Sequence, residues 1–429
     1  MRPQHPVHSQ AGFALVLTLT LLALLMLTLV GLGAFVKVNG QVAASTAAQN
    51  LARQNALLAL SVARSDLQRY AGDDDRITGM AGITGIAAQA SSTSRNWCGV
   101  WQNDGSFVRW LVSGAQLDDS ATLEAGIMPV VLAGNGSNGD AGSVGASAAH
   151  SEHVIAGRIP IVVSETVGAP GTAATIGRYA YLVSDEGVKV SAYSPPAQLL
   201  IAGVAPLITS TAFGSAQEKL RTAVESYAGK LVTLISYEQL SLLPTPSPAL
   251  TQSVLQDNFH HVTLTALTVN GGQLRSGTIN LNTASPYVWR SILETYNAVP
   301  AVTAFSAAEL SSRGAAIANG FAFSASGKAS GGPFTSANEF GTSAILSENL
   351  PATITPEDFI NAVGGILTVR SDTFRIRAYG EALNPFDDTV VEAAVYCEAT
   401  VQRTPEAAPN GMGRKFVVLN FRWIGRDDI

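Results

Sequence analysis

Charge is scarce in this sequence. Only 14% of its 429 residues are Asp, Glu, Lys or Arg, against ~25% in ordinary globular domains. No acidic residue occurs before Asp66, and the net charge is −6. Such a chain lacks the basic footprint of a nucleic-acid binder, so a nucleic-acid partner is not expected. Cysteine is almost missing: Cys98 and Cys397 stand about 300 positions apart with no C-x-x-C spacing. That argues against a cysteine-built zinc site. In an oxidising compartment the two could close one long-range disulfide, Cys98–Cys397. No G-x-S-x-G elbow is present to mark a serine hydrolase. The length allows more than one folding unit.

The first seventy residues carry the strongest signal. Phe13 to Val36 is an uncharged apolar run of 24 residues. As a helix it spans ~36 Å at ~1.5 Å per residue, enough for a hydrocarbon core of ~30 Å. A cleaved secretory signal has a shorter apolar stretch, closed by an A-x-A-like site; here nothing of that kind closes it. A short polar leader, MRPQHPVHSQAG, ends in Gly12 directly before Phe13. After Lys37 the Ala- and Leu-rich sequence continues the helix. Leu51, Leu58 and Val62 form an apolar stripe at i, i+7 and i+11. Gly72 and Asp73–Asp75 then stop it. The expected organisation is a leader over 1–12, a transmembrane helix over 13–36 and an amphipathic continuation over 37–72.

Beyond about Ile77 the pattern changes to short strands: WCGVW, SFVRWLVS and MPVVLAG, then Tyr179–Val183 and Val188–Ala192 around the turn Ser184–Gly187. Gly187 suits a positive φ there. A strand-rich body over 73–205 is followed by a mainly helical insert over 206–360. Strands return over 361–429, at Ile366–Arg370, Phe374–Glu381, Val390–Gln402 and Phe416–Trp423. The fold class expected is α+β.

The layout of leader, Gly12, Phe13 and apolar helix resembles type IV pilins and the pseudopilins of type II secretion. The resemblance implies that a prepilin peptidase cuts after Gly12 and that Phe13 is then methylated. It also implies a single pass through the inner membrane, a periplasmic body, and other pilins or pseudopilins as partners. Those families usually carry glutamate at the fifth mature position; here that position is Leu17. Three further segments resemble the K-type minor pseudopilin, whose sheet is interrupted by a helical domain. They are YAYLVSDEGVKVSAY, INLNTASPYVWRSILETY from Ile279 and LTVRSDTFRIRAYGEA from Leu367. K-type members also lack the glutamate. Residues 79–177 lie outside the likeness, so a minor pilin of a type IV pilus stays open. The resemblance implies no catalysis. The reading set against it is a membrane-anchored periplasmic enzyme or binding protein that does not polymerise.

Four further segments carry the residue types of known chemical motifs without the full pattern around them. INLNTAS opens helix-hairpin-helix modules, but no Gly-containing hairpin follows it; Thr283 or Ser285 is expected to cap a helix with Pro286 in its first turn. Gly134–Gly139 fits G-x-G-x-x-G, yet flexible loop follows where a dinucleotide site needs a helix. His150, Glu152 and His153 lack the H-E-x-x-H spacing of a zinc protease. Asp73, Asp74 and Asp75 could offer oxygens to calcium, but without EF-hand spacing they read first as a solvated helix stop. The resemblance leaves calcium open as a cofactor, since some K-type relatives bind it, with no ligands assigned in this sequence. No other cofactor is expected.

Overall fold

The computed structural model describes residues 11–429 except 85–92, 135–152, 165–172, 192–255, 257–258, 264–267, 270–272, 275–278, 298, 300–301 and 323–332. One helix, α1 (Ala11–Ala71), occupies the whole N-terminal region. Its last turns lie on a five-stranded antiparallel sheet. The strands are β6 (Ile159–Ser164), β7 (Ala173–Asp185), β14 (Thr373–Asn384), β15 (Asp387–Ala407) and β16 (Arg414–Ile424), in the order β16-β15-β14-β7-β6. The sheet joins residues nearly 200 positions apart, because β7 pairs directly with β14.

Smaller elements complete the body. They are β1 (Ile77–Met80), β2 (Cys98–Trp101) and β3 (Phe107–Trp110) in one small sheet, and the pair β4 (Pro129–Ala133) and β5 (Val154–Gly157). Short pairs follow: β8 (Val190–Ser191) with β9 (Val262–Thr263), β10 (Thr268–Val269) with β11 (Gln273–Leu274), and β12 (Ile279–Asn280) with β13 (Leu367–Thr368). Among the described residues five α-helices fall between β12 and β13: α2 (Pro286–Asn297), α3 (Ala307–Ala322), α4 (Ala337–Gly341), α5 (Ala344–Asn349) and α6 (Pro356–Val363). The architecture is α+β: a long apolar N-terminal helix, then a strand-rich body with helices inserted between its strands. Ser285 caps α2, its Oγ accepting from Val288 N at 3.4 Å, while Thr283 turns its hydroxyl to the Val188 carbonyl.

Two cores flank the sheet. On the α1 side, Phe374, Ile376 and Ala378 of β14 pack with Ala56, Ala59, Ala63 and Leu67. The alternate residues of β14 face away from α1; Tyr379 packs against Tyr396 in the second core, which also holds Trp97, Trp110 and Trp289. This alternation is the period-2 geometry of a strand.

The helix face differs from the sequence expectation. Alanines are buried against the sheet, namely Ala52, Ala56, Ala59 and Ala63. Leu58 of the expected stripe is 42% exposed, and Leu51 and Val62 are half-buried. The reason is distance. A Cβ placed on Gly380 of β14 would lie 2.2 Å from Ala56 N and 2.3 Å from Ala52 O. Backbone meets backbone there, and only small residues allow it.

The turn after β7 also differs. Val190–Ser191 does not fold back on β7 as a hairpin; it pairs in parallel with Val262–Thr263. Asp185 and Glu186 are buried and tie the turn inward. Gly187 has no positive φ; a Cβ there would sit 2.2 Å from Ser371 Oγ, so close packing explains the glycine.

A methyl group at Gly380 should lever α1 off the sheet. Gly380→Ala is expected to lower unfolding free energy by about 1–3 kcal/mol. Gly365→Ala, whose Cβ position meets open space, should change it by less than about 0.5 kcal/mol. Urea unfolding of the detergent-solubilised chain measures both, and equal effects would contradict the close contact.

Candidate functional site

The candidate site is the stem helix and the sheet that grips it. From Phe13 to Val42 every large apolar side chain described is exposed, with Phe13 at 76% and Leu17 at 56%. This is the one helix, among the described residues, long and apolar enough to cross a membrane, with mean hydropathy 2.6 over its best window. The three threonines described in that half, Thr18, Thr20 and Thr28, each donate to a carbonyl three residues back at 2.9 Å. Their hydroxyls are thus satisfied within the helix, as a hydrocarbon surrounding requires. Gly12 lies inside α1, which begins at Ala11. No carboxylate precedes Asp66.

The body-facing half is fastened by polar bonds on both flanks. Asn55 Nδ2 donates to the Glu381 carbonyl at 2.8 Å. The Tyr181 hydroxyl on β7 donates to Asp66 in a short bond; burial first, and the Asp66 charge second, raise that phenol far above its ordinary pKa. On the β16 flank, Gln68 Nε2 donates to the carbonyls of Met412 and Arg414 at 2.8 and 2.7 Å, and its Oε1 accepts from Phe416 N. At the helix end, Arg403 Nη2 donates to the Gly72 carbonyl at 2.8 Å. Sequence reading missed these latches. Asn55, Asp66 and Gln68 are the visible hints, being polar residues in an Ala/Leu-rich run.

The far face of the sheet is charged and buried. Glu398 of β15 accepts from Arg377 at 2.9 Å and Arg422 at 2.8 Å, and Arg375 lies at 3.4 Å. Burial alone would raise its pKa, but the three guanidiniums hold it well below the carboxylate range. Glu186 pairs with Lys189 at 2.6 Å and Arg375 at 3.2 Å, and the ring of Phe259 lies against Lys189 and Arg377 at 4.2 and 3.9 Å. Glu381 holds Arg178 at 2.8 Å and Arg158 at 3.3 Å. Each carboxylate is engaged by two or more cations, so the arrangement fixes strands and is not poised to take a substrate proton. Asp185 differs: burial raises it to about 6, against hydrogen bonds from Ser371 and Gly187 N–H.

Cys98 and Cys397 are free thiols, both buried; the disulfide considered from sequence is not formed. Cys98 lies on β2, whereas Cys397 on β15 points its Sγ at the Ala56 carbonyl of α1, 3.9 Å away. Asp74 is taken by arginines, Arg414 at 2.9 Å and Arg403 closer still, and these bonds lower it to about 2. Asp73 pairs with Arg76. Among the described residues no cluster of three His, Cys, Asp or Glu could hold a metal ion. His150, Glu152 and the glycine-rich stretch over 135–139 lie outside the described residues, and His153 is buried. Asn280 and Asn282 are fully buried staples, bonding to Thr78 and to the Phe334 carbonyl.

No family model matches the chain, and no curated protein matches it. Among solved structures it is similar to the GspK-GspI-GspJ complex from the enterotoxigenic Escherichia coli type 2 secretion system. Identity is 12% and the TM-score 0.33, over 62% of this chain and 83% of that one. A likeness this loose carries no argument by itself.

Two outcomes follow from the buried groups. Burial pushes the Cys397 thiol up to about 12 and Cys98 well above its ordinary value. Neither should react with a thiol reagent in the folded protein at mildly alkaline pH, because the thiolate is the nucleophile. Unfolding without reductant should release both; release of neither would mean a disulfide. The second outcome concerns Asp185. Its folded pKa of about 6 lies above the reference 3.8, so the fold favours the neutral acid. That contribution is full below ~pH 4 and is lost as pH rises towards 6, about 3 kcal/mol in all. Asp185→Asn stays neutral, so the wild-type loss between those pH values should vanish from its urea-unfolding profile. Parallel profiles for both proteins would refute it.

Proposed function

We propose that this chain is a minor pilin-like subunit of a type II secretion pseudopilus or a type IV pilus. Its role in that reading is structural and not catalytic. One observation carries it: a single helix has a fully exposed apolar half and a second half locked onto an antiparallel sheet. The first half can lie in the inner membrane and later in a filament core, while the second half holds a periplasmic body at a fixed position on the stem. Gly12 followed by Phe13 supplies the cut site for prepilin peptidase, and sibling pilins are the partners.

Leu17 bears on position in the filament. A carboxylate in an apolar helical core is costly unless paired, and in a pilin core its partner is a neighbour's N-terminal ammonium. Leu17 cannot neutralise that amine. A homopolymer of this chain would bury an unpaired charge at each step, whereas one copy at the end buries none. A body of this size also fits at a tip more readily than in a packed shaft. The subunit is therefore assigned to initiating or capping the filament tip.

Mass spectrometry of membrane-extracted protein tests the processing step. The expected mature chain begins at methylated Phe13, and Gly12→Asp should abolish cutting; an intact Met1 on the wild-type protein would refute it. Gold labelling of isolated filaments tests the position, with label expected at one end only. Regular label along the shaft would overturn the tip assignment.

A further inference from the structure

The most exposed large apolar side chain of the body is Phe386, at 97%. It sits at the tip of the β14–β15 hairpin, where Asn384 pairs with Asp387. The tip is built to hold its shape. Phe386 N donates to Asn384 Oδ1 at 2.8 Å, Asn384 Nδ2 donates to Glu392 at 2.6 Å, and Thr389 N donates to Asp387 Oδ1 at 3.0 Å. Val390 and Val391 beside it are 44% and 39% exposed. A rigid hairpin that presents phenylalanine to solvent calls for an apolar occupant.

The contacts with α1 fix where that tip lies. Gly380 is level with Ala52–Ala56. At the opposite end, Arg403, one residue beyond the Thr373–Gln402 pair, is level with Gly72. Strand β14 therefore runs antiparallel to α1 and nearly along it. Four strand residues separate Gly380 from Asn384, roughly 13 Å at ~3.3 Å per residue, and the turn closed by the Asn384–Asp387 pair carries Phe386 a few Å further. The total of roughly 16 Å is about 11 residues of α1 at ~1.5 Å each, which brings the Phe386 backbone level with about Ala43. The uncharged run ends at Val36, before Lys37. Phe386 thus stands roughly 9 Å beyond that boundary, and an ordinary helix tilt of ~20° towards the hairpin side lowers it to the interfacial layer that flanks a ~30 Å hydrocarbon core.

We propose that the β14–β15 hairpin tip is a second membrane contact, with Phe386 seated in the interfacial layer of the bilayer that holds α1. Phenylalanine is among the side chains that surface-bound segments bury at the boundary of headgroups and acyl chains. The contact holds the body at a set height and tilt before assembly, and it is lost when the subunit leaves the bilayer. The inference rests on α1 being a membrane anchor, as proposed above.

Site-directed spin labelling of the full chain in phospholipid vesicles, without sibling subunits, tests it. Single cysteines are placed at Phe386→Cys, at Leu24→Cys in the apolar half of α1, and at Leu117→Cys, a 74% exposed side chain on the loop after β3. The native thiols are buried, so the label goes to the new sites. The expected result is a ratio of oxygen to water-soluble nickel-chelate accessibility at Phe386 shifted from the Leu117 value towards the Leu24 value. A Phe386 label as wet as that at Leu117, with Leu24 in lipid, overturns the hairpin contact and leaves the anchor standing. A wet label at Leu24 overturns both.

Discussion

The contact between α1 and the sheet governs the rest of this molecule. At Gly380 the strand and helix backbones approach so closely that a single added methyl would clash. That approach selects alanines where the helix lies closest and leaves Leu57 and Leu58 outward, with Leu67 buried further along. It also brings the helix near enough for Asn55, Asp66 and Gln68 to reach partners on the sheet. A helix with an apolar N-terminal half gains little from water-driven packing there, so its position depends on this short grip. Whatever force reaches the stem passes to the body through it.

The sheet is two-faced for the same reason. Small and apolar residues of β14 meet the helix, while Arg375, Arg377 and Glu381 point the other way into a layer of carboxylates and carbonyls. Burying such charges contributes little net stability, but removing one partner leaves the others stranded. The far-face network therefore acts on specificity. It joins β7, β14, β15 and β16 to the segment near Phe259.

Much of the candidate site was legible in the sequence. The apolar run, its end near Lys37 and the helix stop at Gly72 depend on composition and helix-breaking residues. Such signals are local, and the structure follows them. The late strands also emerged close to their expected bounds, because alternation and β-branched residues mark them. The failures share a different cause. Leu51, Leu58 and Val62 were the better apolar stripe by periodicity, but periodicity does not measure how near a neighbour will come. Ser184–Gly187 carried hairpin chemistry, yet the turn is drawn inward by Ser371 and Asn280, which lie far away in sequence.

The sequence alone determined the membrane-length helix, the position of Gly12 before Phe13, the leucine at position 17 and the α+β alternation of the body. These properties depend on residue type and spacing along a short stretch. Only the tertiary structure decided that alanines form most of the gripping face, that Cys98 and Cys397 are both buried in the core beneath α1, and that Phe386 stands exposed at the hairpin tip on the side of the apolar run. Each of these depends on the distance between elements far apart in the chain, set by β7 pairing with β14 and by the close approach of α1 at Gly380.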